Sequence, residues 1–257
     1  MTGHQPRRRF GQHFLADAHY VERIVAAIDP KPGETIVEIG PGLAALTGRL
    51  IERAGHLTAV EIDRDLTARL RERFGAQQLT LIEGDALEFD FASLGSDLRV
   101  VGNLPYNISS PLLFHLAECA AALRDLHVML QKEVVDRMTA APGTADYGRL
   151  TVMLQVRFEI ARLFIVPPGA FRPAPKVDSA VARLRPLRER APHIVDPALF
   201  ARVVAAAFSQ RRKTIRNAVS AVCDARTLEA AGIDPGVRGE TLGVADFVRL
   251  ANAVAGA

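Results

Sequence analysis

Thr35-Ile36-Val37-Glu38-Ile39-Gly40-Pro41-Gly42 sets the architecture of this chain. The β-branched run from Thr35 to Ile39 reads as a buried strand. Gly40-Pro41-Gly42 breaks it, and a helix is expected from Leu43 to about Ala54. Strand, glycine turn, helix is the start of a dinucleotide-type α/β unit, in which glycine lets the backbone come close to a ligand. The third glycine of that pattern is absent, with Ala44-Ala45 near its place, and Pro41 has no N–H to offer a pyrophosphate. The turn therefore suits a nucleoside ligand without phosphates better than a nicotinamide or flavin dinucleotide.

Downstream, strands and helices alternate. Leu57 to Asp63 reads as a second strand, and Glu61 falls 21 positions after Gly40. That is the distance of an acidic residue that accepts from ribose hydroxyls; the alternative is a surface charge at a strand end. A helix follows over about 65–74. Leu79 to Ala86 is a third strand, and Asp85 at its end could accept from an adenine amino group or could serve only its own turn. Val100-Val101 opens a fourth strand, 109–120 reads as a helix, and 125–131 as a fifth strand. This alternation predicts a parallel α/β sheet.

The fourth strand runs into Asn103-Leu104-Pro105-Tyr106. Pro105 has no N–H and pushes Leu104 toward an extended conformation. The segment presents an amide carbonyl, nearby backbone carbonyls and a ring face. A flat base with an exocyclic amino group needs those parts, although a strand followed by a proline turn would also explain them.

Upstream, Arg7-Arg8-Arg9 lies in a stretch, 1–10, that reads as a flexible basic arm. Asp17 is a candidate cap for a helix over about 18–28. Beyond the fifth strand, 132–139 looks helical, 150–157 is helix or strand, and 161–167 reads as a strand. Phe171 to Asp178, rich in proline, is expected as an extended loop before a last strand near 177–184. An aromatic in such a loop, Phe171, is less often core. No strand is evident from Asp196 onward. Arg211-Arg212-Lys213 precede Arg216, and Arg212 and Arg216 at i and i+4 would share one helical face. The expected domains are 11–187, an α/β sheet domain, and 194–257, a small helical one.

The composition, 49% apolar and 24% charged with net charge +3, is that of an ordinary globular chain with local basic clusters, which suit a nucleic-acid partner. Cys119 and Cys223 are read as free thiols. The seven histidines show no ligand spacing, so no metal is expected. No apolar span long enough for a bilayer and no leader pattern is evident, which predicts a cytoplasmic protein.

Six motifs occur in order: Gly11-Gln12-His13-Phe14-Leu15, Val37-Glu38-Ile39-Gly40-Pro41-Gly42, Asn103-Leu104-Pro105-Tyr106-Asn107-Ile108-Ser109, Gln131-Lys132-Glu133-Val134, Pro173-Ala174-Pro175-Lys176-Val177-Asp178-Ser179 and Gln210-Arg211-Arg212-Lys213-Thr214. Together they closely resemble the ribosomal RNA adenine N6-dimethyltransferases, best the small-subunit branch known as the kasugamycin-resistance dimethyladenosine transferases. The resemblance covers about 7 to 250. It implies a Rossmann-like S-adenosylmethionine-dependent methyltransferase domain with a seven-stranded sheet and a small all-helical C-terminal domain. It implies dimethylation of N6 on two adjacent adenosines in the 3′-terminal hairpin loop of 16S rRNA within the 30S subunit. By the matching motifs, His13, Leu15, Gly40, Gly42, Glu61, Ile62, Asp85, Ala86 and Asn103 would surround S-adenosyl-L-methionine. Asn103, Leu104, Tyr106 and Phe171 would hold the target base, with Tyr106 on one face and Phe171 on the other. Arg7, Arg8, Arg9, Arg211, Arg212, Lys213 and Arg216 would contact RNA, and the enzyme is expected to be a monomer. The rival readings are a large-subunit rRNA adenine methylase of the resistance type, a DNA adenine methylase, a non-catalytic nucleic-acid-binding factor on the same fold, and a nicotinamide oxidoreductase.

Overall fold

The computed structural model describes residues 13–256, so the arm bearing Arg7, Arg8 and Arg9 lies outside the described residues. The chain divides into two compact units. One runs to Val135 and takes in Ile160–Pro186; the other comprises Asp136–Glu159 and the chain from Leu187.

The first unit begins with β1 (Phe14–Leu15) and α1 (Ala18–Ile28). It continues through β2 (Ile36–Ile39), α2 (Thr47–Ala54), β3 (Leu57–Glu61), α3 (Arg64–Arg73), β4 (Leu79–Glu83), β5 (Leu98–Asn103), α4 (Ser109–Glu118) and β6 (Leu123–Gln131). After α5 (Lys132–Thr139) and α6 (Arg149–Gln155), the chain enters β7 (Phe158–Val166), β8 (Phe171–Arg172) and β9 (Ser179–Pro186).

The main sheet has seven strands in the order β4-β3-β2-β5-β6-β9-β7. The neighbours from β4 to β6 are parallel, and β9 runs antiparallel to β6. Every residue of β2 and β3 is buried, which explains why apolar and β-branched residues dominate them, with Glu38 and Glu61 as the charged exceptions. The chain builds outward from β2 to β4 and then returns to place β5 on the other side of β2. That reversal opens a crevice at the carboxyl ends of the strands.

Local chemistry sets the helix entries. Asp17 caps α1 through the His19 N–H at 2.9 Å, and Asp63 caps α3 through the Asp65 N–H at 3.0 Å. Val21, Ile24, Val25 and Ile28 give α1 one buried face. α2 starts at Thr47 and not at Leu43. Gly40, Gly42 and Ala44 all have positive φ, at 64°, 57° and 65°, so the turn persists where helix was expected. At the end of β5, Gly102 is required by close approach: a Cβ there would lie 2.6 Å from Ile39 O.

β1 and β8 form a separate two-stranded antiparallel ribbon, pairing Phe14 with Arg172 and Leu15 with Phe171. The Ala16 and Asp17 N–H groups both donate to Ala170 O, at 2.8 and 3.2 Å. This corrects the reading of Phe171. Its side chain is fully buried in the core cluster that includes Leu15, Val166, Ala170 and Val181, so it is an anchor and does not offer a ring face.

In the second unit, α6 is followed by α7 (Pro197–Ser209), α8 (Ile215–Ala218), α9 (Ala225–Ala230) and α10 (Val244–Ala255). Phe200, Val204, Leu228, Phe247 and Leu250 form its core. Asp136–Glu159, assigned from sequence to the sheet domain, clusters here because Tyr147, Val152 and Val156 join that core. Tyr147 also donates to Leu242 O at 2.8 Å.

The expected basic helical face is also corrected. α7 stops at Ser209, 210–213 forms a turn, and Thr214 makes a β-bridge with Arg238 before the short α8. Arg212 and Arg216 therefore share no helix. Arg211 is ion-paired to Glu240 at 2.8 Å and donates to the carbonyls of Thr144 and Ala145. Cys119 and Cys223 are free thiols.

Candidate active site

The crevice at the strand reversal is a cavity of about 250 Å³ lined from five places in the chain. β2 ends on Ile39 and hands over to Gly40-Pro41-Gly42. β3 contributes Val60 and Glu61 and continues into Ile62, β4 leads to Gly84-Asp85-Ala86, and β5 leads through Asn103 to Ile108. The segment from His13 to Leu15 closes one side. The nine residues expected to surround the cofactor, His13, Leu15, Gly40, Gly42, Glu61, Ile62, Asp85, Ala86 and Asn103, all line this one cavity, as do Leu104 and Tyr106. Phe171 is not among the lining residues.

The glycines act differently. Gly40 has φ +64° and nothing within 4 Å of a Cβ, so its need is conformational. At Gly42, also at positive φ, a Cβ would lie 3.1 Å from two carbons of the Phe14 ring, which packs against the turn.

Glu61 is buried, and its carboxylate accepts from the Gly42 N–H at 3.2 Å and the Asp63 N–H at 2.9 Å. Burial pushes its carboxyl up from the usual range, and these backbone bonds oppose the shift. Asp85 uses one oxygen to accept from the Leu87 N–H at 2.9 Å, the turn role that sequence allowed. It faces the cavity as well.

At the end of β5, the Asn103 amide donates through Nδ2 to His13 O at 2.8 Å. A backbone carbonyl only accepts, so the NH2 must point there. Oδ1 is then left with no partner among the described residues. The His13 ring stacks on Tyr106, with centroids 5.5 Å apart and planes at 26°. Its Nδ1 donates to Pro173 O at 2.8 Å. The Tyr106 hydroxyl is bonded to Ser179 Oγ at 2.7 Å, and the Leu104 N–H donates to Met129 O at 3.1 Å. Four separate segments thus hold one acceptor and one ring in place.

The lining carries three carboxylates, Glu38, Glu61 and Asp85, and no Lys or Arg among the described residues. A pyrophosphate would meet only like charge there, and Pro41 withholds a donor. A ligand with a nucleoside and net positive charge fits. Leu43 and Ile62, 44% and 45% exposed, add apolar walls suited to a flat ring. S-adenosylmethionine, a nucleoside carrying a sulfonium and an ammonium, matches that donor set.

Glu38 takes no role from the sequence motifs. A signal is nevertheless present in them: a charge in an otherwise apolar strand, two residues before Gly40 of the glycine turn. Leu43 and Pro105, also without an expected role, line the cavity too.

A doubly wound sheet with an acidic nucleoside crevice at its reversal and an Asn-Leu-Pro-Tyr strand end defines a Rossmann-like S-adenosylmethionine-dependent methyltransferase. The ribosomal RNA adenine dimethylase family profile matches residues 3–256. The chain belongs to this family of S-adenosylmethionine-dependent rRNA dimethyltransferases. It is 62% identical over 255 residues to ribosomal RNA small subunit methyltransferase A of Aromatoleum aromaticum, covering 99% of this chain and 96% of that one. It is 63% identical over 244 residues to the protein of that name from Thiobacillus denitrificans, covering 95% and 96%. Among solved structures, a dimethyladenosine transferase from Plasmodium falciparum superposes with a TM-score of 0.78 at 25% identity, over 93% of this chain and 96% of that chain. The 23S rRNA methyltransferase ErmE gives 0.69 at 28%, over 94% and 99%.

Proposed function

We propose that this enzyme dimethylates N6 of two adjacent adenosines in the 3′-terminal hairpin loop of 16S rRNA, acting as a monomer on the small ribosomal subunit in the cytoplasm. The small-subunit target rests on the relatives above 60% identity, which carry that name; the 23S enzyme is far more distant. The observation that carries the chemistry is the Asn103 amide in the lining of an acidic crevice, its NH2 held by His13 O and its oxygen without a partner among the described residues.

The exocyclic nitrogen of adenine is a poor nucleophile because its lone pair is delocalised into the ring. S-adenosylmethionine, when bound, supplies a methyl group already activated on sulfonium. The protein's work is placement and polarisation. Asn103 Oδ1 and the Leu104 carbonyl accept the two N6–H groups, which turns the lone pair out of conjugation. Tyr106, backed by His13 on one face, stacks the flipped-out base on the other; such stacking is worth roughly 1–3 kcal/mol per base. No strong base is needed, because the N6 proton becomes acidic once nitrogen carries the new methyl. One N–H then remains, so the same acceptors can act again. On the cofactor side, Glu61 accepts from the ribose hydroxyls, Asp85 from the adenine amino group, and Gly40 and Gly42 flank the methionine end. Leu15, Ile62 and Ala86 supply apolar contact. Arg212, Lys213 and Arg216, exposed around the turn before α8, bind RNA phosphates together with the arm at Arg7, Arg8 and Arg9.

The test is transfer of labelled methyl from S-adenosylmethionine to small subunits lacking the two dimethyladenosines, with large subunits alongside. Incorporation approaching two methyls per target adenosine is expected. Labelling of large subunits instead would move the enzyme to the resistance branch.

A further inference from the structure

Glu38 lines the crevice and is absent from the roles assigned above. It is 2% exposed on β2 and accepts from Thr47 Oγ1 at 2.7 Å. No other hydrogen bond reaches its carboxyl among the described residues. Its register partners, Ala59 on β3 and Val101 on β5, are apolar. Glu61, at the end of β3, is the charged group acting on it, and it repels. Asp85 and His13 are the other titratable groups lining the cavity besides Tyr106, and no Lys or Arg joins them among the described residues.

A buried carboxylate without a cation is costly to ionise. Burial first, and the Glu61 charge in addition, push the Glu38 carboxyl up to about 7, with the Thr47 bond opposing. The reaction itself changes charge. The methyl donor carries a sulfonium and its product, S-adenosylhomocysteine, a neutral thioether; their ammonium and carboxylate groups are the same.

We propose that Glu38 is the residue that separates methyl donor from spent product by charge, releasing its proton to solvent when the cationic donor occupies the crevice and regaining one once the sulfonium is gone. The inference rests on the S-adenosylmethionine reading above. It gives repeated methylation a cause for product exchange: the pairing that favours the donor ends with the transfer.

The experiment is calorimetric titration of the full chain with S-adenosylmethionine and with S-adenosylhomocysteine, in buffers of different ionisation enthalpy, for wild type, Glu38→Gln and Glu61→Gln. Donor binding to wild type should release about half a proton at pH 7, nearly one at pH 6 and almost none at pH 8.5, from a carboxyl near 7. As pH is raised toward 7, donor affinity should increase by up to about tenfold per pH unit, while product affinity stays flat. Glu38→Gln, whose amide oxygen still accepts from Thr47, should abolish the release and lower the donor-to-product affinity ratio at pH 8. Glu61→Gln, which removes the charge that helps raise the Glu38 carboxyl, should keep a release but move it to lower pH. Donor binding without proton release by wild type would overturn the proposal, a result that does not depend on any variant folding. So would release that survives Glu38→Gln, or equal weakening of donor and product. Failure of wild type to bind either ligand would instead overturn the cofactor reading.

Discussion

The Asn103 side chain donates to the His13 backbone carbonyl across 90 positions of sequence, at 2.8 Å. The bond fixes the NH2 end of the amide on His13 O, and it ties the end of β5 to the segment that enters β1. Asn103→Ala removes both anchor and acceptor. Methyl transfer should fall by about 10²–10³ or more while cofactor binding survives at least in part. Asn103→Asp keeps acceptors but cannot donate to a carbonyl, so it should also lose most of the transfer. Near-normal turnover by the alanine variant would remove Asn103 from the chemistry.

Glu38 also makes stability depend on pH. Its folded-state carboxyl is raised to about 7 from 4.5, so the folded protein holds more protons between those values. Stability from this group is fully present below about 4.5 and is lost as pH rises through 7, by on the order of 3 kcal/mol or less. Glu38→Gln without ligand should therefore melt above wild type at pH 8, with the gap closing by pH 5. An equal gap at both values would point to packing and not to charge.

Gly102→Ala should destabilise by roughly 1–3 kcal/mol, because the obstacle to its Cβ is the Ile39 carbonyl, a backbone atom that cannot swing aside. The change should also weaken cofactor binding, since β2 and β5 flank the crevice. Gly84→Ala is the control for stability: nothing lies within 4 Å of a Cβ there. Similar melting temperatures for the two variants would contradict the close approach.

Phe171→Ala should cost about 3–5 kcal/mol as a core truncation, with methyl transfer declining in step with the folded fraction. A variant inactive in transfer but melting like wild type would restore a base-stacking role.

The basic turn before α8 should act through RNA affinity. Neutralising Arg212, Lys213 and Arg216 together should flatten the dependence of log affinity on log salt, by about 0.7–0.9 for each phosphate that the protein no longer neutralises. Arg211→Ala should change that slope less, since its guanidinium is engaged by Glu240 and two carbonyls. An unchanged slope in the triple variant would place the RNA elsewhere.

Much of the sheet is legible in the sequence because its strands are short, apolar and closed by glycine, acid or proline. Ile36–Ile39, Leu57–Glu61 and Leu79–Glu83 lie within the segments that the sequence predicts. Glu61 is marked by its spacing from Gly40 and Asp85 by its place at a strand end, since a parallel strand delivers its last residues to one edge. The departures occur where distant chain intervenes. The basic run has helical spacing, yet the Thr214–Arg238 bridge draws it out of a helix. Phe171 sits among prolines that suggest an exposed loop, but pairing with Leu15 places it in the core.

Local sequence was enough for the alternation of strand and helix, the glycine turn and the chemical types at the strand ends, because each depends on neighbours within a few residues. Three properties of the site needed the folded chain: Asn103 gives its amide N–H to His13 O, Tyr106 is backed by His13, and Glu38 stands in an acidic wall without a cation among the described residues. Each is set by the surroundings of one group, and those surroundings come from segments far apart in the chain.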